Sequence, residues 1–131
     1  MKIYIAGSFN SRPRLRLMRD KLWDMGHEVV STWLDEVAQP DNLSKKEFYK
    51  KLAIKDIAEL KSANLVIVDI LDPSSSGGRD TELGLALGSF QSKQVYLVGN
   101  PVGVFHELAD LQCKAWDELL LKMELDKIQT L

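Results

Sequence analysis

The chain has 131 residues, a hydrophobic fraction of 45%, a charged fraction of 27% and a formal net charge of −2. A length of this size makes one domain, 1–131, and the composition is that of an ordinary globular protein. The small net charge gives no electrostatic reason to expect a nucleic-acid polymer or an acidic membrane as partner. No apolar run approaches the roughly 20 residues of a membrane span. The single cysteine, Cys113, excludes an intramolecular disulfide and a cysteine-only zinc site, and it fits a reducing compartment. With a strand starting at Lys2 and no leader ahead of it, the expected location is the cytoplasm.

In chain order, Lys2–Ala6 (KIYIA) is a short β-rich apolar run closed by Gly7 and Ser8. Residues 13–25 carry Leu15, Met18, Leu22 and Met25 at spacings of three and four, which predicts an amphipathic helix. Pro13 suits its first turn and Gly26 its stop. Residues 27–32 (HEVVST) read as a second strand, and 35–44 as a polar loop. Ser44 is placed to cap a helix over Lys45–Ser62, with Glu47 three residues on. Residues 65–70 (LVIVDI) form a nearly continuous apolar run, as in a strand buried on both faces. A small-residue loop at 72–80 precedes a third helix at 81–91. Gln94–Val98 is a fourth strand, and 116–128 a closing helix. No repeat is visible. The alternation of strand and helix implies parallel strands with right-handed crossovers and helices on both faces. Ligands bind such sheets beyond the carboxyl ends of the strands, where loops 7–12, 71–80 and 99–104 are expected to meet.

Asp56 is the most informative anomaly. On a helical wheel Phe48, Leu52, Ala53, Ile57, Leu60 and Ala63 share one half, and Asp56 falls near its middle. A carboxylate on an apolar stripe is costly unless it is paired, hydrogen-bonded or open to a cleft. A framework aspartate and a site acid both fit that pattern. The second feature is the run from Ser74 to Gly88 (SSSGGRDTELGLALG), whose small residues let backbone N–H groups approach an anion or a sugar. Glu82 is expected in the first turn of the third helix, where the macrodipole favours its ionised form. A positioned carboxylate of that kind can attack an anomeric carbon while a second group protonates the leaving base. Many such glutamates are no more than favourable end charges. The first loop, Gly7, Ser8, Phe9 and Asn10, offers further N–H groups near the same crevice. Tyr4 lies inside the first strand; its phenol needs a partner if buried, and Glu82 is a candidate. There is no dinucleotide fingerprint and no P-loop. His27 and His106 are too few and too far apart to suggest a metal site, so neither metal nor cofactor is expected. Asp69 and Asp72, at the active edge, read as turn formers.

Taken together, KIYIAGSF, AIKDIAEL around Asp56, DILDPSSSGGRDTELGLALG around Glu82, and the later VYLVG and VFHEL resemble the nucleoside 2-deoxyribosyltransferase family, which includes the 2′-deoxynucleoside 5′-phosphate N-hydrolases. The likeness runs from Lys2 to about Leu108. Any one piece is weak, and the ordered set is more specific. It implies a flavodoxin-like (Rossmann-like) parallel sheet of four to five strands. It also implies a homodimer or higher homo-oligomer in which a neighbouring subunit closes the site. By match to the motifs, Glu82 would be the nucleophile, Tyr4 would orient it, and Asp56 would bind near the base and help protonate it. Gly7 and Ser8 would line the pocket. Ser76 stands where the transferases commonly carry an aspartate that contacts the base. A serine there resembles the nucleotide hydrolases, so Ser76 and Gly78 would receive a 5′-phosphate. The hydrolases' first loop carries a basic residue where Asn10 stands here, with Arg12 and Arg14 close by. His106 and Glu107 fall where the family draws contacts from the partner subunit, and His106 would reach a phosphate there.

The expected activity is cleavage or transfer at the N-glycosidic bond of a nucleoside or its 5′-monophosphate, through a glycosyl-enzyme on Glu82. A base as acceptor makes a transferase and water a hydrolase. Ser76 leans the substrate towards the nucleotide. An idle nucleotide-binding sensor and a structural α/β module are the rival classes. Retention of Tyr4, Asp56 and Glu82 together weighs against both.

Overall fold

The computed structural model describes residues 1–129 other than 37, 75, 76 and 90–92. Its strands are β1 (Lys2–Ala6), β2 (Glu28–Val29), β3 (Leu65–Asp69), β4 (Gln94–Val98) and β5 (Leu111–Cys113). The helices are α1 (Arg12–Asp24), α2 (Lys45–Ser62), α3 (Gly78–Leu87) and α4 (Trp116–Gln129), with 3-10 turns at Phe9–Ser11, Thr32–Asp35 and Val104–Leu108. Among the described residues the strands form one parallel sheet in the order β2-β1-β3-β4-β5. This is the flavodoxin-like arrangement expected.

Strand alternation divides the core into two layers. Ile3, Ile5, Leu65, Ile67, Tyr96 and Val98 face one way and pack under Leu15 and Leu22 of α1 and Trp116, Leu119 and Met123 of α4. Tyr4, Ala6, Val66, Val68, Val95 and Leu97 face the other way, against Leu60 of α2 and Leu83 and Ala86 of α3. Both faces of β1, β3 and β4 are therefore covered, which is why their sequences read as unbroken apolar runs. The chain leaves β1 towards β2 and leaves β3 towards β4, in opposite directions along the sheet. The crevice at this reversal, between the ends of β1 and β3, is where such folds bind ligands.

Three boundaries differ from the sequence expectation. The second strand pairs at Glu28 and Val29 only. Beyond them side chains take over the edge of β1: Ser31 Oγ accepts from the Ile5 N–H at 3.0 Å, and the Trp33 indole donates to the Ile5 carbonyl at 2.7 Å. The fifth strand, three residues long, has no periodicity to betray it. It is held by tertiary bonds, among them the Gly99 N–H to the Cys113 carbonyl at 2.8 Å. Finally, α3 begins at Gly78 and not Thr81, because Gly77 adopts φ +98° at its N-cap and turns the chain into the helix early. The predicted helical residues 90 and 91 lie outside the described residues, and α3 ends at Leu87.

Candidate active site

A cleft of about 560 Å³ opens at the reversal point, lined by Gly7, Ser8, Phe9, Asn10, Trp33, Glu36, Leu52, Asp56, Ser74, Gly78, Arg79 and Glu82. Its floor is built by two loops tied together. Ser8 Oγ donates to Asp72 Oδ2 at 2.8 Å, and Asp72 Oδ1 accepts from the Ser74 N–H at 2.9 Å. Ser8 lines the cleft as expected, with its hydroxyl committed to joining the loop after β1 to the loop after β3. Asp69 and Asp72 do act as turn formers, each accepting from the N–H two residues on. Asp69 also receives Trp116 Nε1 at 2.8 Å and Arg14 Nη2 at 3.1 Å, so Arg14 is held on the opposite face of the sheet from Glu82. Gly7 leaves room for α1: a Cβ there would come within 2.8 Å of Leu15 Cδ1.

Glu82 reaches the cleft from the fifth residue of α3, one turn deeper than expected. The early start of the helix removes the end-of-helix argument for its ionised state, since the macrodipole falls off within the first turn. Burial decides the matter instead. It pushes the carboxyl up to about 8; the Tyr4 hydroxyl that faces it pulls the other way, and the charge of Asp56 adds to the rise. Tyr4 is fully buried in β1. Burial first, then the charges of Glu82 and Asp56, hold its phenol far above the ordinary value, so it remains a donor. Neither Tyr4 Oη nor Glu82 Oε2 completes a hydrogen bond of good geometry, although both are shielded from solvent. Two buried polar atoms left side by side in this way are costly in a framework and useful in a site.

Asp56 projects from α2 into the same cleft. The wheel placed its neighbours only in part. Phe48 and Leu60 are buried and Leu52 lines the cleft, but Ala53 and Ile57 are exposed. The inward face therefore also includes the half-buried Lys55 and Glu59. Lys55 Nζ sits 3.3 Å from Asp56, 3.2 Å from Glu36 and 3.9 Å from Glu59, and donates to Thr32 Oγ1 at 2.8 Å. Burial raises the Asp56 carboxyl; Lys55 opposes the rise, and Glu59 and Glu36 reinforce it. For Lys55 itself burial acts against the charge, but the bond to Glu36 and the surrounding carboxylates outweigh it and hold the amine above its usual value.

Of the residues singled out from sequence, the cleft gathers Gly7, Ser8, Phe9, Asn10, Asp56, Gly78 and Glu82, with Tyr4 beneath them. Ser76 lies outside the described residues. His106 is not in the cleft. It is buried, its Nδ1 accepts from the N–H groups of Val102 and Gly103, and it lines an adjoining groove with Val102, Phe105 and residues of α3, among them Arg79, which lines both. The loop at 99–104 goes with it. The third wall of the cleft comes instead from the segment after β2, through Trp33 and Glu36, because β2 and not β4 flanks β1. Sequence reasoning missed Trp33, Glu36, Leu52, Ser74 and Arg79. Only Arg79 had a signal, a lone cation in a loop of small neutral residues. Among the described residues no group of three or more histidine, cysteine, aspartate or glutamate side chains is arranged to hold a metal ion.

The fold and cleft define an α/β protein of the flavodoxin-like class with a carboxylate-rich crevice at the sheet reversal. Solved structures share that fold. A 2-deoxyribosyltransferase from Bacillus psychrosaccharolyticus is similar with a TM-score of 0.65 and 21% identity, over 92% of this chain and 90% of that one. A CMP N-glycosidase from Clostridium botulinum is similar at 0.60 and 18% identity, over 95% and 99%. A conserved protein from Enterococcus faecalis is similar at 0.72 and 12% identity, over 96% and 98%. No protein-family model matches the chain. No curated protein matches it in sequence.

Proposed function

We propose that the protein is an enzyme of the nucleoside 2-deoxyribosyltransferase kind, cleaving or transferring at the N-glycosidic bond of a nucleoside or nucleotide with Glu82 as nucleophile. The observation that carries this reading is the meeting of Glu82, Tyr4 and Asp56 from three different elements around one cleft. The shared fold with a deoxyribosyltransferase and an N-glycosidase, across nearly the whole chain, supports it.

In this mechanism the Glu82 carboxylate attacks the anomeric carbon. The bond to the base nitrogen breaks, its electron pair leaves with the base, and the Asp56 carboxylic acid supplies a proton to that base. Once Glu82 is ionised, the Tyr4 hydroxyl buried beside it swings to donate to the carboxylate and fixes its orientation. Phe9 and Trp33 offer flat apolar surfaces for a base; the Trp33 ring is pinned by its bond to Ile5. Water or a second base, activated by Asp56 in its ionised form, then releases the sugar from Glu82. The test is an assay of free-base release over a panel of nucleosides and 5′-monophosphates, with and without an acceptor base. Turnover that Glu82→Ala abolishes is expected. Turnover surviving in Glu82→Ala removes the mechanism, and its absence from the wild type on every substrate favours a binding role.

A further inference from the structure

Arg79 is 9% exposed and supplies, among the described residues lining the cleft, its only cationic side chain. The two basic residues near the first loop are spent elsewhere. Arg14 pairs with Asp69, and Arg12 stacks on the Phe9 ring and donates to the Glu36 carbonyl at 2.7 Å. Arg79 is tethered differently: Nη1 donates to the Asp72 carbonyl at 2.6 Å, while Nε is buried with no partner. It makes no ion pair with any described carboxylate. A nearly buried guanidinium without a counter-anion is expensive, and a fold retains one at a cleft where an anion will complete it. The helix start that precedes it is open, since a Cβ built on Gly78 meets nothing within 4 Å. Arg79 and Glu82 are also three residues apart on one helix, about 5–6 Å between Cβ atoms. That is a spacing commensurate with a sugar ring, anomeric carbon at one end and exocyclic carbon at the other.

We propose that Arg79 is the anion-binding residue of the cleft and that the glycoside cleaved beside Glu82 carries a phosphomonoester on its sugar. This rests on the glycosidase reading above and selects the nucleotide over the neutral nucleoside. A guanidinium fork matches a phosphate in charge and geometry, and the N-terminus of α3, beginning at Gly78, adds its dipole. The CMP N-glycosidase that shares the fold is named for a substrate of that class.

The experiment measures base release from a deoxynucleoside and from its 5′-monophosphate at constant ionic strength, with wild type, Arg79→Gln and Arg79→Lys. Inorganic phosphate is added as competitor. Wild type is expected to prefer the monophosphate and to be inhibited competitively by phosphate. Arg79→Gln should lower the ratio of monophosphate to nucleoside kcat/KM by about 10- to 100-fold, with Arg79→Lys keeping more of it. Equal losses on both substrates in a folded variant would make Arg79 a loop anchor only and overturn the proposal. So would a wild type that uses the nucleoside equally well, or one accelerated by phosphate, which would then be the acceptor. Where Arg79→Gln fails to fold, Arg79→Lys and the phosphate competition decide. Release from neither substrate fails the glycosidase reading itself. Calorimetric binding of inorganic phosphate to wild type, weakened in Arg79→Lys and lost in Arg79→Gln, then still reads the anion site, and absence of binding to wild type ends it.

Discussion

The proposed mechanism turns on the protonation of one carboxyl, that of Glu82. Its carboxyl has an ordinary value of 4.5 and is raised to about 8 in the fold, chiefly by burial. The mechanism needs Glu82 ionised and Asp56 protonated at once, so kcat/KM of the free enzyme should be bell-shaped in pH. In Asp56→Asn, where only Glu82 titrates, the residual rate should rise towards about 8, and a residual profile already flat at pH 6 would exclude Glu82 from that role. The same shift has a sign for stability. Below pH 4.5 folded and unfolded chains both hold the proton; between there and about 8 the folded chain holds one that the unfolded chain has lost. Stability therefore falls as pH rises through this window. Glu82→Gln should gain in Tm over wild type as the pH is taken from about 5 to about 8.5, while losing at least ~10³-fold in kcat. Asp56 is a second case at this scale. It shares Lys55 with Glu36 and Glu59, so removing its charge relieves repulsion and leaves Lys55 paired. Asp56→Asn should cost on the order of 10²-fold in activity with Tm unchanged or raised. A lowered Tm with activity intact would make it a framework acid.

Helix α3 shows how an element's start positions a side chain. The sequence places Glu82 in a first turn, whereas the structure places it one turn in, and a single glycine makes the difference. Gly77 has φ +98° with nothing within 4 Å of a built Cβ, so Gly77→Ala should cost only the backbone strain, about 1 kcal/mol. Gly99, at the end of β4, has φ +126° and a Cβ would come within 2.7 Å of Ile70 Cγ1. Gly99→Ala adds a clash to the strain and should lower stability by about 2–3 kcal/mol. Denaturant midpoints of the two variants check the order. Activity should separate them the other way, because Gly77 adjoins the cleft and Gly99 does not: Gly77→Ala loses more turnover than Gly99→Ala in proteins that are both fully folded.

Across the whole molecule, large apolar side chains stay exposed on several elements, and they are densest around the turn after β4. Val102, Val104, Phe105 and Leu108 around the 3-10 turn after β4 are all more than half exposed, Phe105 at 65%. Ile54 and Ile57 on α2 are also exposed. The resemblance noted in the sequence implies a homo-oligomer, and we expect this surface to be buried in it. The buried His106 props up that turn from within, its Nδ1 accepting from the Val102 and Gly103 N–H groups. Light scattering should find wild type at a multiple of the chain mass and Phe105→Asp at the mass of one chain. A monomeric wild type would rule out a site closed by a second copy.

Much of this was legible from residue order alone. The unbroken apolar runs of β1, β3 and β4 specify strands buried on both faces, and helices between them specify a parallel sheet, because periodicity and connection length are local properties. Glu82, Asp56 and the loops after β1 and β3 were legible too, as polar or small residues interrupting those patterns. What the sequence could not supply were the pairings between distant segments. The edge of β1 is taken by Ser31 and Trp33 instead of a longer second strand, and β5 exists only through bonds to β4. The protonation of Glu82 is likewise a tertiary property: local helix chemistry predicts an ionised end charge, and burial raises the carboxyl to about 8 despite the opposing Tyr4 hydroxyl. Arg79 reads in the sequence as one cation among many. It becomes the cation of the cleft only because the fold commits Arg12 and Arg14 to other partners and buries Arg79 with the Asp72 carbonyl but no described carboxylate beside it, and the cost of an unpaired charge depends on surroundings that only the folded chain creates.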